Sequence, residues 1–593
     1  MLSHNSMSLN RHILKTILFA ILMPVLSVPA LAQKSPKAKK VKADKTTYSP
    51  KVLSEQDRIY FEAYFIEGMR YYLIGQTKVA LSFFDKAYSL DQTNGGLNYQ
   101  LSKVNYSLSN NARALLNAQT AVKADSKNQE YLIQLAKVYE VQSNFEEANK
   151  VYKKLTTDFP NNEPYYYQIG ANQIQLKQYD EAIKTYSKVE SIFGRSFELT
   201  RQKQQLYVKQ GKVDLAIKEG QVLIDSDPSN LQYQVDQAEF YYYIDQVPNA
   251  LAIIDKVLKQ DKDQVQAHVL LADIYKSKNE MDKAFVEYKY LLARPNVAGE
   301  TKKQIVQEAL TNATTDAAKA QLLELTTIYV TTNPSDNVAL TSQGDALFVN
   351  NKKEEARKYY SKSAQLDGNN YNLWLQILTL DFEFKEYDTL VAHSATAIDF
   401  FPNQSNLWYF RGLAFFNLKR YPQSIEALEE TRNLSGTNQA LKMQSLLLLA
   451  DAYNETKEYV KSDAAYDEVL KYDKNNDHAL NNYSYYLSLR KEKLELAKSM
   501  SEKVVNRNPT EANFIDTYAW VLYQMKDYQG AKVQLEKAVA AGSTNGTILE
   551  HYGDVLFQLG DKKGALENWK KAKAAGDASA LIDKKIADGK LYE

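Results

Sequence analysis

Apolar and small side chains recur along this chain at intervals of 34 residues. Written in lines of 34 from Phe61, the twentieth column reads Ala80, Ala114, Ala148, Ala182, Ala216, Ala250 and Ala284. At a background of roughly one alanine in ten, seven in register arise by chance about once in 10⁷. The eighth column is small in six of seven lines: Gly68, Ser102, Ala136, Gly170, Ala238 and Ala272, with Gln204 the exception. The eleventh carries Tyr71, Tyr139, Tyr207, Tyr241 and Tyr275, and the twenty-seventh Ala87, Ala121, Leu155, Val189, Leu223, Val257 and Leu291. Pro160 and Pro228 fall late in their lines. The pattern predicts two helices per line, joined by a tight turn. A small residue on each lets them cross closely, and the large eleventh residue fills the groove beside the crossing. One such hairpin cannot bury its apolar faces alone, so neighbours must stack on it.

Register is lost between Gly299 and Asp336, where Ala309, Ala313, Ala317 and Ala320 give no clean line. It returns at Asn337, with Gly344, Ala356 and Tyr360, and further lines begin at Tyr371, Ser405, Met443, Asp477, Ala512 and Gly546. The small eighth residue, eleventh-column tyrosine, twentieth-column alanine and late proline resemble the tetratricopeptide repeat family. The resemblance implies an all-α, right-handed superhelical solenoid of about fourteen hairpins, its inner wall lined by the first helix of each. The expected organisation is a signal peptide over 1–32, a Lys-rich linker over 33–50, an N-terminal repeat block over 51–298 and a degenerate repeat or hinge over 299–336. A C-terminal block over 337–579 and a capping helix over 580–593 complete it, with Leu581, Ile582 and Ile586 on one face of that helix.

The first residues change the picture from a plain repeat to an exported one. Arg11 and Lys15 precede a short apolar run, Ile17 to Val28, and Ala30-Leu31-Ala32 gives the small residues of a cleavage site ahead of Gln33. Pro24 and Pro29 interrupt and end the run, which is too short for a clean span. Six lysines between Lys34 and Lys45 then form a solvated tether. The expected location is the periplasm or the cell surface, with no integral span once the signal is removed.

Composition narrows the chemistry. The chain of 593 residues has a net charge of +1, which gives no global field for nucleic acid. It has no cysteine, so thiol nucleophiles, zinc–thiolate sites and a lipid-bearing cysteine are excluded. His268, His393, His478 and His551 lie far apart, with no second histidine one helical turn away. No phosphate-binding loop or nucleophile elbow occurs. Acid pairs such as Glu146-Glu147, Asp180-Glu181 and Glu354-Glu355 fit the starts of second helices, where they complement the helix dipole. The expectation is a protein without catalytic residues, metal or cofactor.

There are 43 tyrosines, side chains that suit recognition because a rigid apolar ring carries a polar tip. The resemblance implies that the second, fifth, ninth and twelfth positions face the groove. Those positions nominate Phe65, Tyr72, Tyr99, Lys103, Tyr106, Lys137, Tyr167, Tyr242, Tyr409, Tyr485 and Trp520 as partner-binding residues. The Lys-and-Asn pair of a carboxylate clamp is absent: the fifth and ninth positions read Phe65/Met69, Tyr99/Lys103, Ile133/Lys137, Tyr167/Ala171 and Arg201/Gln205. The expected function is a protein–protein interaction scaffold of the cell envelope that binds other proteins or peptide segments. The alternative is a carbohydrate or peptidoglycan binder that uses the same aromatic side chains.

Overall fold

The structure is a computed structural model that describes residues 49–540 and 544–592; the expected signal peptide and nearly all of the Lys-rich linker lie outside the described residues. Within that span there are 31 α-helices and no strand. Thirty of them form fifteen helix–turn–helix pairs in chain order, and Ile582–Asp588 follows alone. The fifteenth pair, beyond the expected fourteen, is the out-of-register stretch itself, Gly299–Thr311 and Asp316–Thr332. The described residues divide into two compact units, one ending at Glu287 and the other beginning at Tyr288. No helix among the described residues is long and apolar enough to cross a membrane.

Each regular hairpin consists of an A helix, a three-residue turn and a B helix. Every twentieth-column alanine of the first seven lines is fully buried. The eighth column has a partner on the B helix that the sequence reading did not name, the twenty-fourth. A Cβ added at Gly68 would sit 2.5 Å from the Phe84 ring; at Gly170, 2.4 Å from Tyr186; at Gly344, 2.4 Å from Tyr360; at Gly553, 2.5 Å from Trp569. The two columns trade volume. Where the eighth is the large Gln204, the twenty-fourth is Gly220, and where it is Leu378, the twenty-fourth is the fully buried Ser394. Close packing requires this reciprocity, because an interior with few voids has no room for two large residues at one crossing.

The turn is equally regular. The fifteenth residue of all fourteen regular lines has a positive φ, from +57° at Ser143, Lys177 and Lys419 to +87° at Gly560. In each, the sixteenth residue donates its backbone N–H to the eleventh carbonyl, as in Gln76 to Tyr71 at 2.9 Å and Asp561 to Leu556 at 2.9 Å. This six-to-one closure is a Schellman cap, which needs a left-handed residue. Only Gly75, Gly211 and Gly560 are glycine there, so the other eleven residues adopt a conformation that costs about 1–2 kcal/mol. Several A helices start on an asparagine at the end of the preceding line: Asn94, Asn128, Asn370, Asn476 and Asn545 each accept an amide N–H from the first turn. The acid pairs stand in the first turns of B helices.

The out-of-register hairpin lacks this turn. Four residues join its helices, none with a positive φ, and its B helix has 17 residues against 14 in the next hairpin. At the C-terminus, Ile582 and Ile586 pack against Trp569, whereas Leu581 is 38% exposed.

The reciprocity of columns gives a double-mutant test. Gly170→Leu alone is expected to lower stability by about 1–3 kcal/mol through its clash with Tyr186. Adding Tyr186→Ser, which recreates the Leu378/Ser394 pairing, is expected to recover most of that loss. Chemical denaturation of the full chain, with hydrogen exchange at this hairpin, measures both.

Candidate functional site

The nominated side chains come together best in the first unit. Lys103 places its Nζ 5.2 Å above the Tyr72 ring and 5.3 Å above Tyr99, so three nominated residues from two successive A helices form one cation–aromatic group. Tyr99 also lies 5.3 Å from Tyr131, and its hydroxyl donates to Glu130 at 3.3 Å. Burial, then the charge of Glu130, pushes the Tyr99 phenol up to about 12, so it stays a neutral donor. Tyr131 and Glu130 were not nominated. Both follow from the A-helix register once the next line is known to lean over the fifth position. Phe65 serves packing: it stacks on Phe61 at 6.2 Å and lies 5.8 Å from Phe84.

Farther along this unit the A-helix face turns acidic. Tyr106 is 38% exposed and Lys137 is exposed. Beside them Glu140 accepts from Asn172 at 3.0 Å and Tyr152 at 3.3 Å, and burial raises its carboxyl. Tyr167 donates to Glu163 at 3.1 Å and Tyr242 to the Asp273 carbonyl at 3.4 Å. Between them, Arg201 pairs with Glu239 at 3.7 Å, and Asp236 accepts from Gln232 at 2.8 Å. Burial, opposed by the Gln232 bond, pushes Asp236 up to about 6.

The second unit does not present its nominated residues in the same way. Tyr409 is half-buried against Leu428, Leu449 and Tyr453, and burial raises the Tyr485 phenol. Trp520 corrects the expectation of a groove residue: it is 8% exposed, stacked on His551 at 3.9 Å and on Tyr523 at 4.7 Å. The reason is register. His551, sixth in its line, reaches back over the fifth and ninth residues of the line before, stacking on Trp520 and bonding Asp516 at 2.8 Å. Burial pulls the His551 pKa down, but Asp516 outweighs it and the net direction is up. His268 and His393 likewise each meet a carboxylate, Glu287 at 2.6 Å and Asp381 at 2.7 Å. No three His, Asp or Glu side chains among the described residues converge to hold a metal ion.

Asp236 gives a pH test. Its folded pKa of about 6 lies above its ordinary 3.8, so protonation favours the folded state. That contribution is fully present below pH ~4 and is lost as pH rises through about 6. Asp236→Asn is therefore expected to melt higher than the parent at pH 7, with the advantage vanishing near pH 4. Melting curves across this range, with a carbon-13 titration of the Asp236 carboxyl, check the sign.

Residues 107–189 match the family model for subunit 3 of the anaphase-promoting complex, or cyclosome. No curated protein matches the sequence. Similar solved structures include a Naa15/Naa10 complex bound to HypK-THB, at 13% identity over 90% of this chain and 96% of that one, with a TM-score of 0.33. Yeast Tom70 is similar at 12% identity over 90% and 94%, with a TM-score of 0.29. A tetratricopeptide repeat protein from Parabacteroides merdae is similar at 14% identity over 49% of this chain and 99% of that one, with a TM-score of 0.29. The 34-residue columns and the paired helices give this chain an all-α fold of tetratricopeptide-type hairpins, and residues 107–189 of it match a family model.

Proposed function

We propose that this chain is a non-catalytic scaffold of the bacterial cell envelope whose A-helix faces bind segments of other proteins. The observation that carries the reading is the group of half-buried Tyr72, Tyr99, Lys103 and Tyr131 with the exposed Glu130. It joins three successive repeats and offers aromatic area, one cation and one carboxylate side by side. Rigid aromatic side chains with polar tips are the side chains that anchor protein interfaces. Repeat proteins use such faces to hold a helix or an extended segment. The envelope location rests on the basic start, apolar run and Ala30-Leu31-Ala32 site of the first 32 residues.

Two outcomes test this reading. Mass spectrometry of the envelope fraction is expected to find a mature chain that begins at Gln33; a chain that retains Met1 or Met7 in the cytoplasm contradicts the location. Crosslinking and capture from the same fraction is expected to recover protein partners. Tyr99→Ala with Lys103→Ala should weaken that capture by at least about tenfold, the loss typical of an interface anchor. Retention on isolated cell wall at high salt, with no protein recovered, would favour the carbohydrate reading instead.

A further inference from the structure

One arrangement recurs in the second unit outside the nominated residues. An acid at the ninth position of an A helix accepts a hydrogen bond from an aromatic side chain at the twenty-fourth, on its own B helix. Tyr360 donates to Asp345 at 2.8 Å, Tyr466 to Asp451, and Trp569 Nε1 to Asp554 at 2.8 Å. A half-buried carboxylate needs more than one such donor. For two of the three, the sixth residue of the next line supplies it. Asn482 reaches Asp451 at 3.5 Å. Lys585, in the sixth place of a line that would begin at 580, lies 2.8 and 2.7 Å from the two Asp554 oxygens and 2.8 Å from Glu550. Lys585 is 3% exposed, so its methylene stem is buried and its ammonium is spent on carboxylates.

Asp345 is the exception. The sixth residue of its next line is Gln376, which donates to the Tyr360 hydroxyl at 2.8 Å and leaves the carboxylate with Tyr360 as its donor among the described contacts. Asp345 opens instead onto a pocket of about 340 Å³. The pocket lies against the preceding, out-of-register hairpin. Val306 and Leu310 of its A helix and Leu322 of its B helix form an apolar wall, facing Thr341 and Ser342. Two other charged groups line the pocket, Lys303 and Asp367. Lys303 pairs with Glu300 at 3.7 Å, and Asp367 accepts from the Asn369 backbone and side-chain amides at 3.0 Å. Burial raises the Asp345 carboxyl, and no cation offsets that.

We propose that Asp345 is the seat for a lysine or arginine side chain of a bound polypeptide, whose stem lies along Val306, Leu310 and Leu322 and whose charge meets the carboxylate. The chain itself shows that an acid at this ninth position can hold a lysine, since Lys585 lies on Asp554, although Gln376 fills that place beside Asp345 and the seat here opens toward the preceding hairpin. The Asp345 carboxylate beside the Thr341 and Ser342 hydroxyls suits a single positive charge; a divalent cation would need several oxygen ligands of the right charge. The proposal deepens the interaction reading above and rests on it.

The test uses the full chain and a defined probe, Nα-acetyl-lysine N-methylamide, with its norleucine counterpart as the uncharged control. Saturation-transfer NMR is expected to show contact to the lysine methylenes and none to norleucine. Asp345→Asn should weaken binding by about tenfold, the usual worth of a charged hydrogen bond. Should that variant fold poorly, the Asp345 carboxyl carbon resonance of the parent chain is expected to move on titration with the lysine probe. Equal contact by both probes, unchanged binding in Asp345→Asn or an unmoved Asp345 resonance overturns the proposal. Partner capture that persists in Asp345→Asn with no lysine contact removes this seat and leaves the scaffold reading standing. Lysine contact without any captured partner does the reverse.

Discussion

The crossing of the two helices within each hairpin sets the limits for everything else. At that point an eighth-column residue meets a twenty-fourth-column side chain, while a twentieth-column alanine lets the backbones approach. The room shared by the two columns is limited, so where one side is large the other is small. Gly170 with Tyr186, Gln204 with Gly220 and Leu378 with Ser394 are three settlements of the same constraint. Once the crossing is set, the spacing of successive A helices follows, and with it the distances at which side chains of neighbouring repeats meet.

Those distances explain where polar chemistry appears. The sixth residue of one line lies over the line before, so a polar residue there builds a small polar contact between repeats. Where that residue is His551 it bonds Asp516 and closes off Trp520; where it is Lys585 it neutralises Asp554 and Glu550. Buried ion pairs of this kind contribute little net stability, but removing one partner is costly because the other is stranded. They therefore fix which helix follows which. Arg201 and Glu239 do the same in the first unit with a looser pair, at 3.7 Å. The acid at Asp345 lacks this second donor among the described residues because the sixth residue of the next line, Gln376, donates to Tyr360 instead.

The period, the alanine column and the A and B helices were legible in the sequence because each rests on a residue type that recurs at a fixed spacing. The left-handed fifteenth column was not. Six of its fourteen members are lysine, which carries no turn signal, and the conformation is imposed by the six-to-one closure around it. The twenty-fourth column escaped because its members range from glycine to tryptophan; the signal lies in its covariation with the eighth, which a single column does not show. Tyr72, Tyr99 and Lys103 were nominated from position alone and meet in one group. Trp520 was nominated by the same rule and is covered, because the rule takes no account of the following helix. The hairpin at 299–332 was legible as helical and unreadable as a repeat, since its longer turn and B helix displace every column together.

The absence of cysteine in the native sequence makes the packing claim directly measurable. Single cysteines placed at Ala114, Ala182 and Ala250, and at the exposed Ala63, can be reacted with a thiol reagent under native conditions. The account predicts rapid modification at position 63 and slow modification, limited by local opening, at the three twentieth-column positions. Comparable rates at all four positions in the folded chain would contradict it.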